Sequence, residues 1–225
     1  MAAGFIQRVG AATVNSTGSP SSITIDVANA TAAGLTVLVA VSVSNATTIS
    51  SVTDTEHNVY TQEYGNSGLN RDMEIWRADN ITALTTSDSI TANLGTGEAL
   101  GIVAIADAFN GIGRHDSSSG ANVGASSPES GSITAKAGDI VLYSFYMFAG
   151  PATAISVNSP FTGTGPAALG SGGSAEASGL TGYDPSPSAG SVSSTYTFSP
   201  SGVHTGVIIM VGFPARSGLL MASFP

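Results

Sequence analysis

Short apolar segments, each closed by a cluster of turn-forming residues, recur along the whole chain and limit its possible folds more than any other feature. In the segment Leu35–Val43, leucine and valine alternate with smaller or more polar residues. This period of two is typical of a strand with one face in the core. Gly, Asn, Asp, Ser and Pro separate some fourteen such segments, roughly one every 15 residues. The sequence therefore predicts an all-β fold: an antiparallel β-sandwich, jelly-roll-like in its strand number.

Composition supports a folded chain. Hydrophobic residues make up 42% of the sequence and charged residues only 9%, whereas disordered chains combine low hydrophobicity with high charge. Gly, Ser, Thr and Val are abundant while the strong helix formers are scarce, which again favours strands and turns. The 225 residues suffice for one large β domain or two small ones.

Charge and segment length argue against several partners. The chain has 6 Lys+Arg against 15 Asp+Glu, a net charge of −9, so we expect no nucleic-acid binding. Its longest apolar segments, near Leu35–Val43 and Val207–Phe213, are far shorter than the about 20 residues of a membrane-spanning helix. We therefore expect no membrane insertion. The absence of cysteine excludes disulfides and thiolate metal ligands, and the N-terminus has no recognisable signal peptide.

Segments of the first part of the chain reappear in the second part in the same order. Gly101–Ile105 corresponds to Gly206–Met210, and Ile23-Thr24 corresponds to Ile133-Thr134. The offsets cluster near about 105 residues, which predicts two similar halves of that length, although any two β-hairpins share some likeness. A single pseudo-symmetric sandwich is favoured over two separate domains. The reason is that Ile140–Phe148 is apolar on nearly both faces, as in a strand between two covering layers or at an interface.

These features divide the chain into an N-terminal arm, a first β half, a Gly/Ser-rich connection, a second β half and an apolar C-terminal tail. The respective bounds are 1–20, 21–110, 111–130, 131–214 and 215–225. The tail carries four large apolar residues, Leu219, Leu220, Met221 and Phe224. Exposed apolar tails tend to fray, so these residues are candidates for docking on a neighbouring subunit. Packing on their own domain, or disorder, are the alternatives.

Several turns and strand starts resemble a known group of proteins. The relevant residues are Val52-Thr53-Asp54, Asn58–Thr61, Glu74–Ala78, Asn80–Thr82 and Ala137–Val141. They are similar to the recurring turn and strand motifs of β-sandwich proteins found in tailed-phage virions and of related modules in bacterial surface proteins. The resemblance extends over most of residues 21–214.

The resemblance implies a fold and a setting more than a ligand, because its motifs are turns and core positions. It implies a non-enzymatic structural protein of the virion, either a minor tail or tail-tip component or a capsid decoration protein, assembled in the host cytoplasm. Its partners would be copies of itself, other virion proteins and the host surface. Arg77 departs from the motif, which usually has tyrosine there. No catalytic motif accompanies the resemblance, so we expect no enzyme activity and no cofactor.

A carbohydrate-binding or adhesion module is the alternative function. Sugar sites commonly use exposed aromatic rings beside polar loops. Four aromatic residues are the candidates for binding a bacterial surface glycan: Tyr60, Tyr64, Trp76 and Tyr183.

Acidic residues offer two further interpretations. Asp72 and Glu74 share one face of a predicted strand, so they are either the carboxylate pair of a hydrolase or, as we favour, part of a solvated face. Acids near His57 and near His115 are either calcium ligands or ordinary turn residues; the clusters are Asp54, Glu56 and His57, and Asp107, His115 and Asp116. Because neither spacing fits an EF-hand loop, we expect no bound metal.

Overall fold

The computed structural model describes residues 4–15, 20–44, 47–68, 71–95, 101–123, 129–149, 152–170, 177–199 and 206–216. Within these ranges the regular secondary structure consists entirely of β-strands, and all the paired strands are antiparallel. The strands are β1 (Gly4–Asn15), β2 (Ser22–Asp26), β3 (Thr36–Ser44), β4 (Ile49–Asp54), β5 (Tyr60–Gly68), β6 (Arg71–Ala78), β7 (Ser89–Leu94), β8 (Gly101–Asn110), β9 (Ser117–Val123), β10 (Glu129–Ala135), β11 (Asp139–Ala149), β12 (Ala154–Val157), β13 (Thr162–Gly163), β14 (Ala177–Asp184), β15 (Gly190–Ser199) and β16 (Gly206–Pro214). The predicted all-β antiparallel class is confirmed.

The strands form four sheets. Sheet I has the order β2-β7-β4, sheet II β1-β8-β3-β6-β5, sheet III β13-β14-β11-β16-β9 and sheet IV β10-β15-β12. Adding eight to each strand number of sheet I gives the strand order of sheet IV. The same addition to sheet II gives the strand order of sheet III, read from its other edge. For example, the central strand β8 begins at Gly101 and its counterpart β16 begins at Gly206. The two sheet pairs therefore share one connectivity, whereas the sequence repeat of about 105 residues stays a prediction.

Three apolar cores define how the sheets stack. The first contains Ile25 of sheet I and Val39 of sheet II. The second contains Ile105 of sheet II and Phe145 of sheet III, and the third contains Tyr146 of sheet III with residues of sheet IV. The sheets are therefore layered in the order I, II, III, IV. Sheets II and III are covered on both faces, as sheets in α/β proteins are, but here the covering layers are other sheets.

The interpretation of Ile140–Phe148 as a doubly covered strand is confirmed by β11. Tyr143 and Phe145 point into the core between sheets II and III, whereas Leu142 and Tyr146 point into the core between sheets III and IV. All four side chains are fully buried. A strand that is apolar on both faces is stable only when both faces are shielded from water. A two-layer sandwich covers one face of each sheet, so this apolar run requires an additional layer.

Two predicted boundaries differ from the structure. Residues 4–15 of the predicted N-terminal arm form β1, which pairs with β8 along its length and buries Val9. A Cβ added to Gly10 would lie 2.7 Å from Cγ2 of Ile25, so glycine permits β1 to pass directly over sheet I. The predicted connection 111–130 contains β9, whose small polar residues lack the apolar alternation by which strands are recognised.

Candidate functional site

A polar cleft of about 490 Å³ lies beside β5 and β6, and we call it the β5–β6 groove. Its lining includes Gln62 of β5 and the carboxyls of Asp72 and Glu74 of β6, which lie on one face of sheet II. The ring of Tyr64 and the amide of Asn66 lie on the opposite face, because these residues pair with Ile75 and Met73, which pack into the core between sheets II and III. The groove is therefore a polar site, and the indole of Trp76, which binds Glu74, is the aromatic ring on the same face.

Strand alternation places the acids of β6 together. Asp72, Glu74 and Trp76 occupy every second position and share the face of sheet II that is directed toward sheet I. Met73 and Ile75 occupy the other face and pack into the core between sheets II and III. Burial of Met73 and Ile75 therefore holds the two carboxyls in place. Asp72 and Glu74 are only 8% and 6% exposed, so they are not the solvated face that the sequence suggested.

The two carboxyls of the groove share a proton. Burial, followed by the charge of Asp72, raises the pKa of Glu74 to about 7. Burial also raises the pKa of Asp72, although its hydrogen bond with Glu74 acts in the opposite direction. Trp76 Nε1 donates a hydrogen bond of 2.6 Å to Glu74 Oε2. The pair therefore changes its charge near neutral pH.

This geometry differs from that of glycoside hydrolysis. Glycosidases separate their two carboxyls by about 5 Å for retention or 6.5–9.5 Å for inversion, to leave room for a sugar carbon or a water. Asp72 and Glu74 are instead in direct hydrogen-bonding contact. As a pair they are suited to accepting hydrogen bonds from hydroxyl groups of a ligand.

Glu63, at the β5 bulge beside the groove, is held by residues that follow β8. Its carboxylate accepts 2.6 Å hydrogen bonds from the backbone N–H of His115 and from Nη1 of Arg114. Burial acts to raise the pKa of Glu63, but these hydrogen bonds outweigh it and hold the pKa below its usual value. Glu63 therefore stays ionised and anchors the start of the segment that leads into β9.

Arg77 has a structural role here. Its guanidinium binds both carboxylate oxygens of Asp79 at 2.8–3.0 Å and donates to the carbonyls of Ile112 and Gly113. It also lies 5.8 Å from the centre of the Phe213 ring, on sheet III. A tyrosine has too few donors for these contacts. Arg77 thus connects the end of β6 to the chain between β8 and β9.

A second polar cluster crosses between sheets II and III, and we call it the Asp107 cluster. Asp107 is fully buried, and its Oδ1 accepts a 2.7 Å hydrogen bond from Nε of Arg8. Its Oδ2 accepts from the hydroxyls of Tyr143 and Thr181 at 2.8 Å and of Thr164 at 3.1 Å. Burial and the neighbouring Asp107 raise the pKa of Tyr143 well above its usual value, so Tyr143 remains a donor. The cluster is satisfied internally, and of its members Arg8 also lines a cleft of about 430 Å³ beside β1.

The four predicted ligand-binding aromatics do not form one site. Trp76 lies on the groove's face of β6 and binds Glu74, whereas the ring of Tyr64 packs on the opposite face, against the core between sheets II and III. Tyr60 is buried, and its hydroxyl donates 3.0 Å to Asp54. Tyr183 packs against Phe5 with a ring-centre distance of 4.6 Å, away from the groove.

The predicted acidic clusters are also separated in space. Asp54 accepts hydrogen bonds of 2.9 and 2.8 Å from the backbone and side chain of Asn58, so it shapes the turn after β4. Asp107 binds Arg8 while His115 binds Glu63, and the two therefore belong to different clusters. Across the described ranges, no three His, Cys, Asp or Glu side chains come together as a metal site.

The predicted tail contacts, Leu219, Leu220, Met221 and Phe224, lie outside the described residues.

Sequence reasoning missed Gln62 of the groove and the pairing of Arg8 with Asp107. The pairing could have been found, because Asp107 is the single charged residue in the apolar segment Gly101–Phe109. A charge in a buried strand needs a partner of opposite sign. Gln62 carries no comparable signal, since an isolated amide on a β strand is usually solvated.

Comparison with known proteins identifies no relative: no family model, no curated protein and no solved structure matches this chain. In the part of the chain that the structure describes, no helix is long and apolar enough to cross a membrane.

Proposed function

We propose that this protein is a non-enzymatic structural protein that works through its shape and its contacts with other subunits. The observation that carries the proposal is the stack of four sheets with three successive apolar cores. Such a stack resists bending and shear, because closely packed interiors deform little. The phage-virion motifs at Val52–Asp54 and Glu74–Ala78 support a place in the tail or on the capsid of a tailed phage, assembled in the host cytoplasm.

The use of charged residues supports the same proposal. Asp54, Glu63, Asp79 and Asp107 each direct their oxygens at donors within the protein. Groups satisfied in this way stabilise turns and connections between sheets, and they are not available to a substrate. Among the clusters described above, the β5–β6 groove is the one whose paired acids line a cleft.

Purified particles provide the test. Phage particles isolated on a density gradient are probed with an antibody against the purified chain, by blotting and by gold labelling in the electron microscope. We expect the chain to sediment with the particles and the label to mark either the tail tip or the capsid surface. Recovery of the chain only in the soluble lysate fraction, with unlabelled particles, contradicts the proposal.

Recognition of a bacterial surface glycan is a second candidate, and the β5–β6 groove favours it. Sugar hydroxyls donate to carboxylates and exchange hydrogen bonds with amides, and the apolar face of a sugar ring packs on an aromatic ring. Asp72, Glu74 and Gln62 supply the polar groups within one cleft, and Trp76 supplies an aromatic ring on the same face. A tail component with this groove would use it at the host surface.

Glycan-array binding tests this second candidate. We expect Trp76→Ala to abolish binding, because it removes the aromatic ring on the groove's face of β6. Tyr183→Ala is the matched control, since Tyr183 is also a half-buried aromatic residue but packs against Phe5 outside the groove. Circular dichroism verifies that both variants fold. Binding that survives Trp76→Ala, or that is absent from the unmodified chain, contradicts this use of the groove.

A further inference from the structure

We propose that β9 is the edge at which two copies of this chain pair antiparallel, which joins their two copies of sheet III into one continuous sheet. The proposal rests on the structural role proposed above and names the partner and the surface of that assembly. The partner is a second copy of this chain, and the interface is the same strand in both copies. Such a two-fold arrangement closes on itself and gives a dimer rather than a fibre.

Comparison of the edge strands points to β9. A strand at a sheet edge has unpaired backbone groups, and proteins protect such edges with bulges, charges, prolines or short length. Among the described strands, β1, β4 and β5 have bulges, whereas β13 has two residues and β12 four. The edges β2 and β10 carry an acid at one end, Asp26 and Glu129. β9 is a seven-residue strand without charge, and its register with β16 is unbroken.

The surroundings of β9 leave room for a second backbone. Ser117, Ser118 and Ser119 line a cleft of about 320 Å³ between the edge of sheet III and the edge of sheet IV. The opposite side is formed by Ser132 and Thr134 of β10. All five side chains are small hydroxyls, so they permit close approach and supply hydrogen bonds to an incoming strand.

Charge favours this edge for an interface between like copies. Each copy has a net charge of −9, so two copies repel unless they meet where the surface is neutral. β9 has no charged residue. Two acids lie at its N-terminal end: Asp116 is 3.8 Å from Lys136 of the same copy, and Asp139 accepts a hydrogen bond from Ser117. Beyond that end the strand presents hydrogen-bonding groups with little electrostatic cost.

Sedimentation of the full chain over about a hundredfold range of concentration tests the proposal. We expect a monomer–dimer equilibrium. Ser118 is exposed on β9, and Ser118→Lys places two like charges in the interface, which we expect to weaken dimerisation at least about tenfold. Thr53→Lys is the matched control, because Thr53 is exposed on the bulged edge strand β4 and its substitution leaves the dimer intact.

A cysteine-free chain permits a second, milder test. Ser118→Cys introduces the only thiol, which is labelled with a nitroxide for distance measurement by electron paramagnetic resonance. Pairing of β9 with β9 predicts a label separation below about 25 Å, since residues along paired strands are about 3.4 Å apart. A monomer at every concentration, a dimer unaffected by Ser118→Lys, or a longer separation each overturns the inference. None of these results bears on whether the chain is present in particles, so failure here is distinct from failure of the proposed function.

Discussion

Sheet II buries carboxylates on both faces, and the two faces treat them differently. On the face toward sheet III, Asp107 meets a guanidinium and three hydroxyl donors. On the face toward sheet I, Asp72 and Glu74 meet each other, one indole N–H and the backbone N–H groups of Ile49 and Met73, without a cation among the described side chains, and burial raises the pKa of both. Burial alone therefore does not determine the state of an acid in this protein. The donors available after burial decide whether a carboxylate stabilises the fold or stays responsive to pH.

The largest loss of stability is expected when the carboxylate at the centre of the Asp107 cluster is removed. Asp107→Ala leaves the guanidinium of Arg8 buried without a counter-ion, and we expect a loss of about 3–5 kcal/mol in the free energy of unfolding. Urea denaturation followed by tryptophan fluorescence measures it. The double variant Arg8→Met/Asp107→Leu removes both charges and is expected to recover much of the loss. A loss below about 1 kcal/mol for Asp107→Ala contradicts the assigned role.

Loss of a hydroxyl group from the same cluster is expected to lower the free energy of unfolding by a smaller amount. Thr181 accepts from Nη2 of Arg8 at 2.9 Å and donates to Asp107 at 2.8 Å. Thr181→Val keeps the shape but removes both hydrogen bonds, so we expect a loss of about 1–2 kcal/mol in urea denaturation. Thr24→Val is the control, because Thr24 has a comparable hydroxyl contact with Thr91 on an exposed surface. Equal losses for the two variants argue against a special role for the buried cluster.

The groove is expected to make stability depend on pH. Between the ordinary pKa of 4.5 and the folded value of about 7, folded Glu74 retains a proton that the unfolded chain has released. Stability therefore falls as pH rises through this window, by about 1 kcal/mol after allowance for solvent screening. Glu74→Gln is expected to flatten the dependence, and Glu56→Gln, at an exposed turn, to leave it unchanged. Urea denaturation at a series of pH values measures the slope. A slope that persists in Glu74→Gln assigns the pH dependence to another group.

The smallest effect is expected at the edge of the groove. Arg114 binds Glu63 at 2.6 Å but is 57% exposed, so water screens the ion pair. Arg114→Ala leaves the N–H of His115 bound to the same carboxylate, and we expect a loss of about 0.5 kcal/mol that shrinks as salt is added. Thermal melting at low and high ionic strength measures it. A loss of stability as large as that of Thr181→Val, or one independent of salt, contradicts the interpretation of Arg114 and Glu63 as a screened surface ion pair.

The elements themselves were largely predictable. The alternation in Leu35–Val43 and the doubly apolar run Ile140–Phe148 led to β3 and β11, because side-chain direction follows from strand geometry within a few residues. β9 was missed because serine and glycine give no apolar alternation. The groove was predictable only in part: Asp72 and Glu74 were placed on one face, but their burial depends on neighbouring strands.

By itself, the sequence determined the all-β class, the strand positions and the faces that avoid water. The tertiary structure decided the number of layers and which charges meet. Arg8 and Asp107 are 99 residues apart in the chain, and no local pattern joins them. They are neighbours because β1 and β8 pair at one side of sheet II, and the cluster is complete only when sheet III supplies its hydroxyls. Strand periodicity is a short-range property, whereas the environment of a buried charge depends on the assembly of distant strands.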